Sequence, residues 1–214
     1  MKKIFIIGAS GLIGGALYQN LLKKDLSLVG TYSKNKESIF LKYDILSDDY
    51  SIFKDINSED TVVLMTAYSS PSWISNNKEK ANLLNSIKTK KLIDYLMPKN
   101  PKFIFMSSVE IFDGETGSYK ESDQGNPLNY YGHLKLEIEQ YLNDNYENFS
   151  IVRTGWNIGL NKKSRCVVQL TYESLMKPNA KMANNNYFSL ASSDDTAEAI
   201  SRLIKNDEIK ILHT

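Results

Sequence analysis

The chain has 214 residues, of which 42% are hydrophobic and 24% charged, and its 26 basic side chains balance 25 acidic ones to a formal charge of +1. This excludes disordered and fibrous classes and gives no global electrostatic case for nucleic acid or an anionic membrane. One cysteine excludes an internal disulfide framework and cysteine-rich zinc sites.

Ile4 to Ile7 is a short, unbroken apolar run, the pattern of a strand covered on both faces of a parallel sheet. Gly8, Gly11 and Gly14 follow at G-x-x-G-x-x-G spacing, and from Leu12 apolar residues recur at 12, 13, 16, 17, 21 and 22, a helical period. Strand, glycine turn and helix together read as a dinucleotide-binding turn. Gly8 permits the tight turn, Gly11 lets the backbone approach a pyrophosphate, and Gly14 allows close helix–sheet packing. The helix N-terminus supplies positive charge for the phosphates. No G-K-[ST] follows, which disfavours a P-loop nucleotidase.

A second strand over 26–32 runs into "VGTYSKNK", without the acid that usually bonds the ribose 2′-hydroxyl of NAD. Ser33, Lys34 and Lys36 offer a 2′-phosphate hydrogen bonds and charge, or are solvated surface; NADP(H) is favoured over NAD(H). A third strand is expected over 39–43, and Asp44 after it is either an adenine ligand or a helix cap. "TVVLM" at 61–65 is a fourth strand, a helix is expected over 76–96 ended by Pro98, and "KFIFMSS" at 102–108 is a fifth strand. Residues 110–127 read as a loop.

Tyr131, Leu134, Ile138, Tyr141 and Leu142 mark one helical face, on which Tyr131 and Lys135 stand at i and i+4 and can meet. A nearby ammonium favours the phenolate, so the pair suits proton exchange with an alcohol oxygen; the same spacing is also common in surface pairs. Ser108 ends the fifth strand, at the carboxyl edge where open α/β sheets bind ligands. A sixth strand is expected at 149–153, helices at 165–177 and 194–205, an Asn-rich surface loop at 179–187 and a last strand at 209–213. Strands alternating with helices argue for an α/β fold with a central parallel sheet. No apolar run approaches a membrane span, and His133 and His213, far apart, make no metal constellation.

Taken in order, these segments resemble the extended short-chain dehydrogenase/reductase superfamily, and within it the dTDP-4-dehydrorhamnose reductase branch of sugar-nucleotide enzymes. "GASGLIGG" matches the cofactor turn, "MTAYS" at 65–69 the segment beside the cofactor, and "LLNSIKTKKL" a helix carrying an Asn. "MSSVEIFDG" at 106–114 matches the catalytic strand, "PLNYYGHLKLEIE" the Tyr-x-x-x-Lys helix, "IVRTGWNIG" the strand after it, and "DDTAEAI" at 194–200 the late helix.

The resemblance implies a Rossmann-type doubly wound sheet with helices on both faces, one domain over 1–214 and substrate-side elements within 155–192. It implies that Ser108 polarises a substrate carbonyl, that Tyr131 supplies the proton as hydride arrives, and that Lys135 bonds the nicotinamide ribose and holds down the tyrosine pKa. The implied cofactor site is Gly8, Ser10, Gly11, Leu12, Ile13, Gly14, Tyr32, Ser33, Lys34, Asp44, Ile45, Ala67, Tyr68 and Asn85, with Tyr131 and Lys135. The implied sugar-nucleotide site is Ser69, Ser108, Val109, Glu110 and Arg165. Lys162, Lys163 and Arg165 meet a diphosphate or form a solvated basic loop, and Arg153 either pairs with a carboxylate in the core, the favoured reading, or faces the site. The implied protein is a cytoplasmic homodimer, joined through helices near 76–96 and 128–145, that reduces a keto-sugar nucleotide.

Two departures qualify the match. Glu110 resembles the Glu of sugar-nucleotide dehydratases and decarboxylases, which favours an epimerase as the alternative; Val109 replaces the dehydratases' partner Asp, and Phe112-Asp113-Gly114 points back to reductase. The sequence also ends at Thr214, sooner than family members do, so either the substrate region is reduced or the chain is shortened. A non-catalytic dinucleotide-binding subunit, like the β subunit of methionine adenosyltransferase, shares this fold. Ser108, Tyr131 and Lys135 occurring together favour the enzyme.

Overall fold

The structure is a computed structural model that describes residues 2–24, 26–159, 166–181 and 188–214. Lys162, Lys163, Arg165 and most of the Asn-rich stretch lie outside the described residues. Seven strands form one parallel sheet: β1 (Lys3–Ile7), β2 (Ser27–Tyr32), β3 (Leu41–Lys42), β4 (Thr61–Leu64), β5 (Lys102–Ser108), β6 (Phe149–Thr154) and β9 (Ile211–His213). Their spatial order is β3-β2-β1-β4-β5-β6-β9. The order reverses between β1 and β4, and a crevice opens there beyond the carboxyl ends of the strands.

The sheet is covered on both faces, which is why its strands read as unbroken apolar runs rather than alternating ones. Ile4, Ile6, Val63, Ile104 and Val152 face one layer, built from α1 (Leu12–Leu22) and α7 (Ser193–Leu203). Phe5, Ile7, Val62, Leu64, Phe103, Phe105 and Ile151 face the other, where α4 (Thr89–Leu96) and α5 (Tyr130–Asn145) pack. Lys102, 4% exposed, donates to the Leu203 carbonyl at 2.5 Å and to Asp207 at 2.8 Å. A cation from β5 thus closes the carboxyl end of α7, where the helix dipole favours positive charge.

The long helix expected over 76–96 is instead a chain of short pieces. α2 (Pro71–Asn76) ends at Asn77, whose φ of −140° breaks the spiral, and α3 (Lys78–Asn82) follows. Leu83–Lys88 then forms a wide π-type turn before α4. The Thr89 hydroxyl donates to the Leu84 carbonyl at 3.0 Å, satisfying a group that the wide turn loosens. The segment does not stop at Pro98 either: a 3₁₀ turn spans Met97–Lys99 and ends on Asn100 at φ 50°. The third strand is only two residues long, and Phe40 just before it packs over Gly30 and Tyr18. A separate two-stranded ribbon, β7 (Trp156–Ile158) with β8 (Leu190–Ser192), and α6 (Val167–Leu175) complete the described elements. Among the described residues, no helix is long and apolar enough to cross a membrane.

Candidate active site

The turn after β1 is shaped by the chain's own backbone. Gly8 sits at φ 97°, a conformation open to glycine, and its N–H donates to the Thr31 hydroxyl at 3.1 Å. Gly14 meets this turn so closely that a Cβ there would lie 2.3 Å from the Gly8 carbonyl oxygen and 2.9 Å from Ala9 Cα. α1 starts at Leu12, and its N-cap Gly11 provides no side-chain cap. Its first-turn amides therefore have no intrahelical acceptor and present the positive end of the helix dipole to the crevice. Pyrophosphate fits this cradle: small residues clear the approach and amides supply the donors.

The turn divides two cavities. One, of about 220 Å³, lies toward β5 and is lined by Ile13, Ser69, Ser108, Val109, Glu110 and Tyr131, with residues of the β6–β7 corner. The other, of about 340 Å³, lies along α1 and includes Ser10 and Leu12 in its wall. The first gathers every expected substrate residue except Arg165, which lies outside the described residues.

α5 aims three side chains at β5 with a four-residue period: Tyr131, Lys135 and Glu139. Its start is fixed by Asn129, whose side-chain oxygen accepts from Gly132 N at 2.9 Å while its amide donates to Glu110 at 2.5 Å. Glu110 belongs to a 3₁₀ turn (Val109–Ile111) that follows Ser108. A Cβ on Gly132 would lie 2.0 Å from the Glu110 carbonyl oxygen, so this glycine lets α5 dock against that turn. One asparagine thereby caps the helix bearing the phenol and holds the carboxylate lining the same cavity.

Tyr131 is half-buried at the cavity wall. Burial pushes its phenol above the ordinary value and the Glu110 carboxylate adds to that, while the Ser108 hydroxyl beside it pulls the other way. Lys135 is 5% exposed and donates to the Met106 carbonyl at 2.6 Å, with its ammonium 5.6 Å from the centre of the Tyr131 ring. Burial pushes Lys135 down to about 8, against the pull of the Glu139 carboxylate. The ammonium is turned onto a backbone carbonyl, while burial and Glu110 favour the neutral phenol.

The cofactor residues divide between crevice and core. Asn85 lies in the π-type turn, 4% exposed, accepting from Tyr68 N at 2.9 Å and donating to Tyr68 O at 2.8 Å. Its side chain is spent on fixing the segment of Ala67, Tyr68 and Ser69. Lys34 reaches over the same end of the sheet, its ammonium 5.9 Å from the Tyr68 ring centre. Ser33 beside it is exposed, and Tyr32 ends β2, its carbonyl accepting from Tyr43 N at 2.9 Å. Asp44 caps the turn after it, accepting from Leu46 N at 3.0 Å, and the Ile45 side chain is 2% exposed in the core. Arg153 pairs with Glu139 at 2.8 Å in the core, as expected.

Sequence reasoning missed Asn129, although an Asn just before an apolar helical face is a cap signal. It also missed the far cavity wall, Trp156 and Asn157. Asn157 is fixed by donating to the Thr154 hydroxyl at 2.7 Å and accepting from Thr196 at 2.9 Å. Their position after the carboxyl end of a strand was the available clue.

A family model described as "RmlD substrate binding domain" matches residues 1–213. The methionine adenosyltransferase 2 subunit beta of Bos taurus is 28% identical over 154 residues, 71% of this chain and 46% of that protein. A Haloferax volcanii protein named "Probable low-salt glycan biosynthesis reductase Agl14" is 28% identical over 160 residues, 72% of this chain and 53% of its own. The chain thus spans about half the length of these curated relatives. Among solved structures, the dTDP-4-dehydrorhamnose reductase of Bacillus anthracis, in complex with NADP, superposes with a TM-score of 0.81 at 21% identity, over 100% of this chain and 75% of that one.

Proposed function

The chain belongs to the RmlD substrate binding domain family, and on that premise we propose that it is a nicotinamide-dinucleotide-dependent reductase of a keto-sugar nucleotide. The observation that carries the reading is one cavity lined by the Ser108 hydroxyl and the Tyr131 phenol, with the Lys135 ammonium buried behind the phenol. The turn of Gly8, Gly11 and Gly14 would hold the pyrophosphate, and Tyr68, Tyr131 and Lys135 would flank the nicotinamide end. When bound, the reduced cofactor supplies hydride to a carbonyl carbon. Ser108 donates a hydrogen bond to the carbonyl oxygen and polarises it. Tyr131, kept neutral by its surroundings, gives that oxygen its proton, so a ketone becomes an alcohol. The neutral phenol suits reduction, in which the side chain must arrive loaded.

For the cofactor, NADP(H) over NAD(H) is our reading, supported by Lys34 over the Tyr68 ring and by the lack of an acid directly after β2. Lys34→Ala is expected to weaken NADPH binding by about tenfold while leaving NADH binding nearly unchanged, the size of one lost charge-assisted hydrogen bond. Parallel fluorescence titrations check it. Equal losses for both cofactors would remove the 2′-phosphate assignment.

Two other readings rest on specific observations. Glu110, held at the cavity by Asn129, supports an epimerase, because a carboxylate can exchange a proton at carbon. Similarity to methionine adenosyltransferase 2 subunit beta supports a regulatory subunit. The test is purified chain with NADPH and a panel of 4-keto sugar nucleotides. Loss of reduced-nicotinamide absorbance supports the reductase. Product epimers with no net cofactor consumption support the epimerase, and binding without turnover supports the regulatory subunit.

A further inference from the structure

We propose that Glu139 is a positioning residue of the same site: its buried carboxylate, clamped by Arg153 and Ser107, is the counter-charge of Lys135. The assignment deepens the reductase reading, and its catalytic consequence rests on that reading. Tyr131, Lys135 and Glu139 follow one another on one face of α5 at four-residue spacing, so Glu139 lies one turn beyond the ammonium. Lys135, Glu139 and Arg153 are 5%, 4% and 5% exposed.

Glu139 is held more firmly than an ordinary core carboxylate. Arg153 Nε donates to its two oxygens at 3.2 and 3.1 Å, Arg153 Nη2 donates at 2.8 Å, and the Ser107 hydroxyl donates to Oε1. Arginine does not give up its proton in proteins, so the clamp sets a permanent positive charge against this carboxylate. Lys135 has a weaker anchor, the Met106 carbonyl, which carries no full charge. A buried ammonium needs a full negative charge nearby to stay charged. Glu139 is the group that opposes the effect of burial on Lys135.

The other ionisable groups around this corner leave that role to Glu139. Tyr131 and Glu110 face the cavity, with Glu110 bonded to Asn129. Glu137, on another flank of α5, is taken by Lys90 at 2.6 Å and Ser86 at 2.8 Å. His213 lies 3.4 Å from Arg153 Nη1, beyond the clamp. Arg153 thus acts on Lys135 through Glu139, by fixing where the carboxylate sits.

The test is a pH titration of the Lys135 side-chain nitrogen by ¹⁵N NMR, with the resonance assigned by its loss in Lys135→Met. The wild-type midpoint is expected at about 8. Glu139→Gln should lower it by about one pH unit or more, the effect of removing one opposite charge. Because that variant strands Arg153, the pair Glu139→Gln/Arg153→Met removes both charges together, and its midpoint should also fall, by less. The alkaline limb of the pH–rate profile should move down with the midpoint. An unchanged or raised midpoint in the folded double variant overturns the assignment. The titration needs no substrate. A lowered midpoint in a chain that shows no turnover would therefore leave Glu139 in this role and remove the reductase reading alone.

Discussion

Tyr131→Phe is expected to lower turnover of a keto-sugar nucleotide by about 10²- to 10⁴-fold, the loss that follows removal of a positioned proton donor. The ring remains and keeps its place at the N-terminal turn of α5, where Asn129 and Gly132 set the helix, so cofactor affinity should hardly change. The group removed is an acid in its loaded form, because burial and Glu110 keep the phenol protonated. Steady-state kinetics with NADPH beside a fluorescence titration of the same variant separate the two effects. A variant within about tenfold of wild-type turnover would mean that another group supplies the proton.

Gly14→Ala is expected to cost the chain its dinucleotide, by a purely steric route. The added methyl would sit 2.3 Å from the Gly8 carbonyl oxygen, well inside contact distance, and neither partner is a flexible side-chain end. Either α1 moves off the sheet or the turn opens, and both displace the amides that face the crevice. Overpacking of this kind costs about 1–3 kcal/mol. Most of that strain should appear as weaker NADPH binding, by about tenfold or more. Circular dichroism should show a folded chain. Normal affinity in the variant would mean that the pyrophosphate does not rest on this turn.

What the sequence carried was local. The unbroken apolar strands are legible because helices cover both faces of the sheet, and Gly8, Gly11 and Gly14 are legible because their spacing answers to one turn. Tyr131 and Lys135 stand out for the same reason, since four residues make one helical turn. The long helix misled because its apolar face continues through Ala81, Leu84, Leu92 and Ile93 while the backbone breaks at Asn77 and widens over Leu83–Lys88. Such a break changes hydrogen bonding without changing which residues are buried. The direction of Lys135 was equally hidden. Spacing brings an ammonium near a phenol, but only the packed structure shows it turned onto the Met106 carbonyl. Asp44 was left open between adenine ligand and cap, and the Leu46 amide shows it capping through one carboxylate oxygen. Asn129 and Glu110, nineteen residues apart in sequence, meet only because α5 docks against the turn after β5.

The central claim is that a nicotinamide dinucleotide lies on the glycine turn with its reacting end at Tyr131. Calorimetric titration of NADPH into wild type, Gly14→Ala and Tyr131→Phe tests it most directly. The account predicts one NADPH per chain for wild type and Tyr131→Phe, and an affinity about tenfold or more weaker in Gly14→Ala. No binding by wild type, or equal binding by wild type and Gly14→Ala, would contradict it.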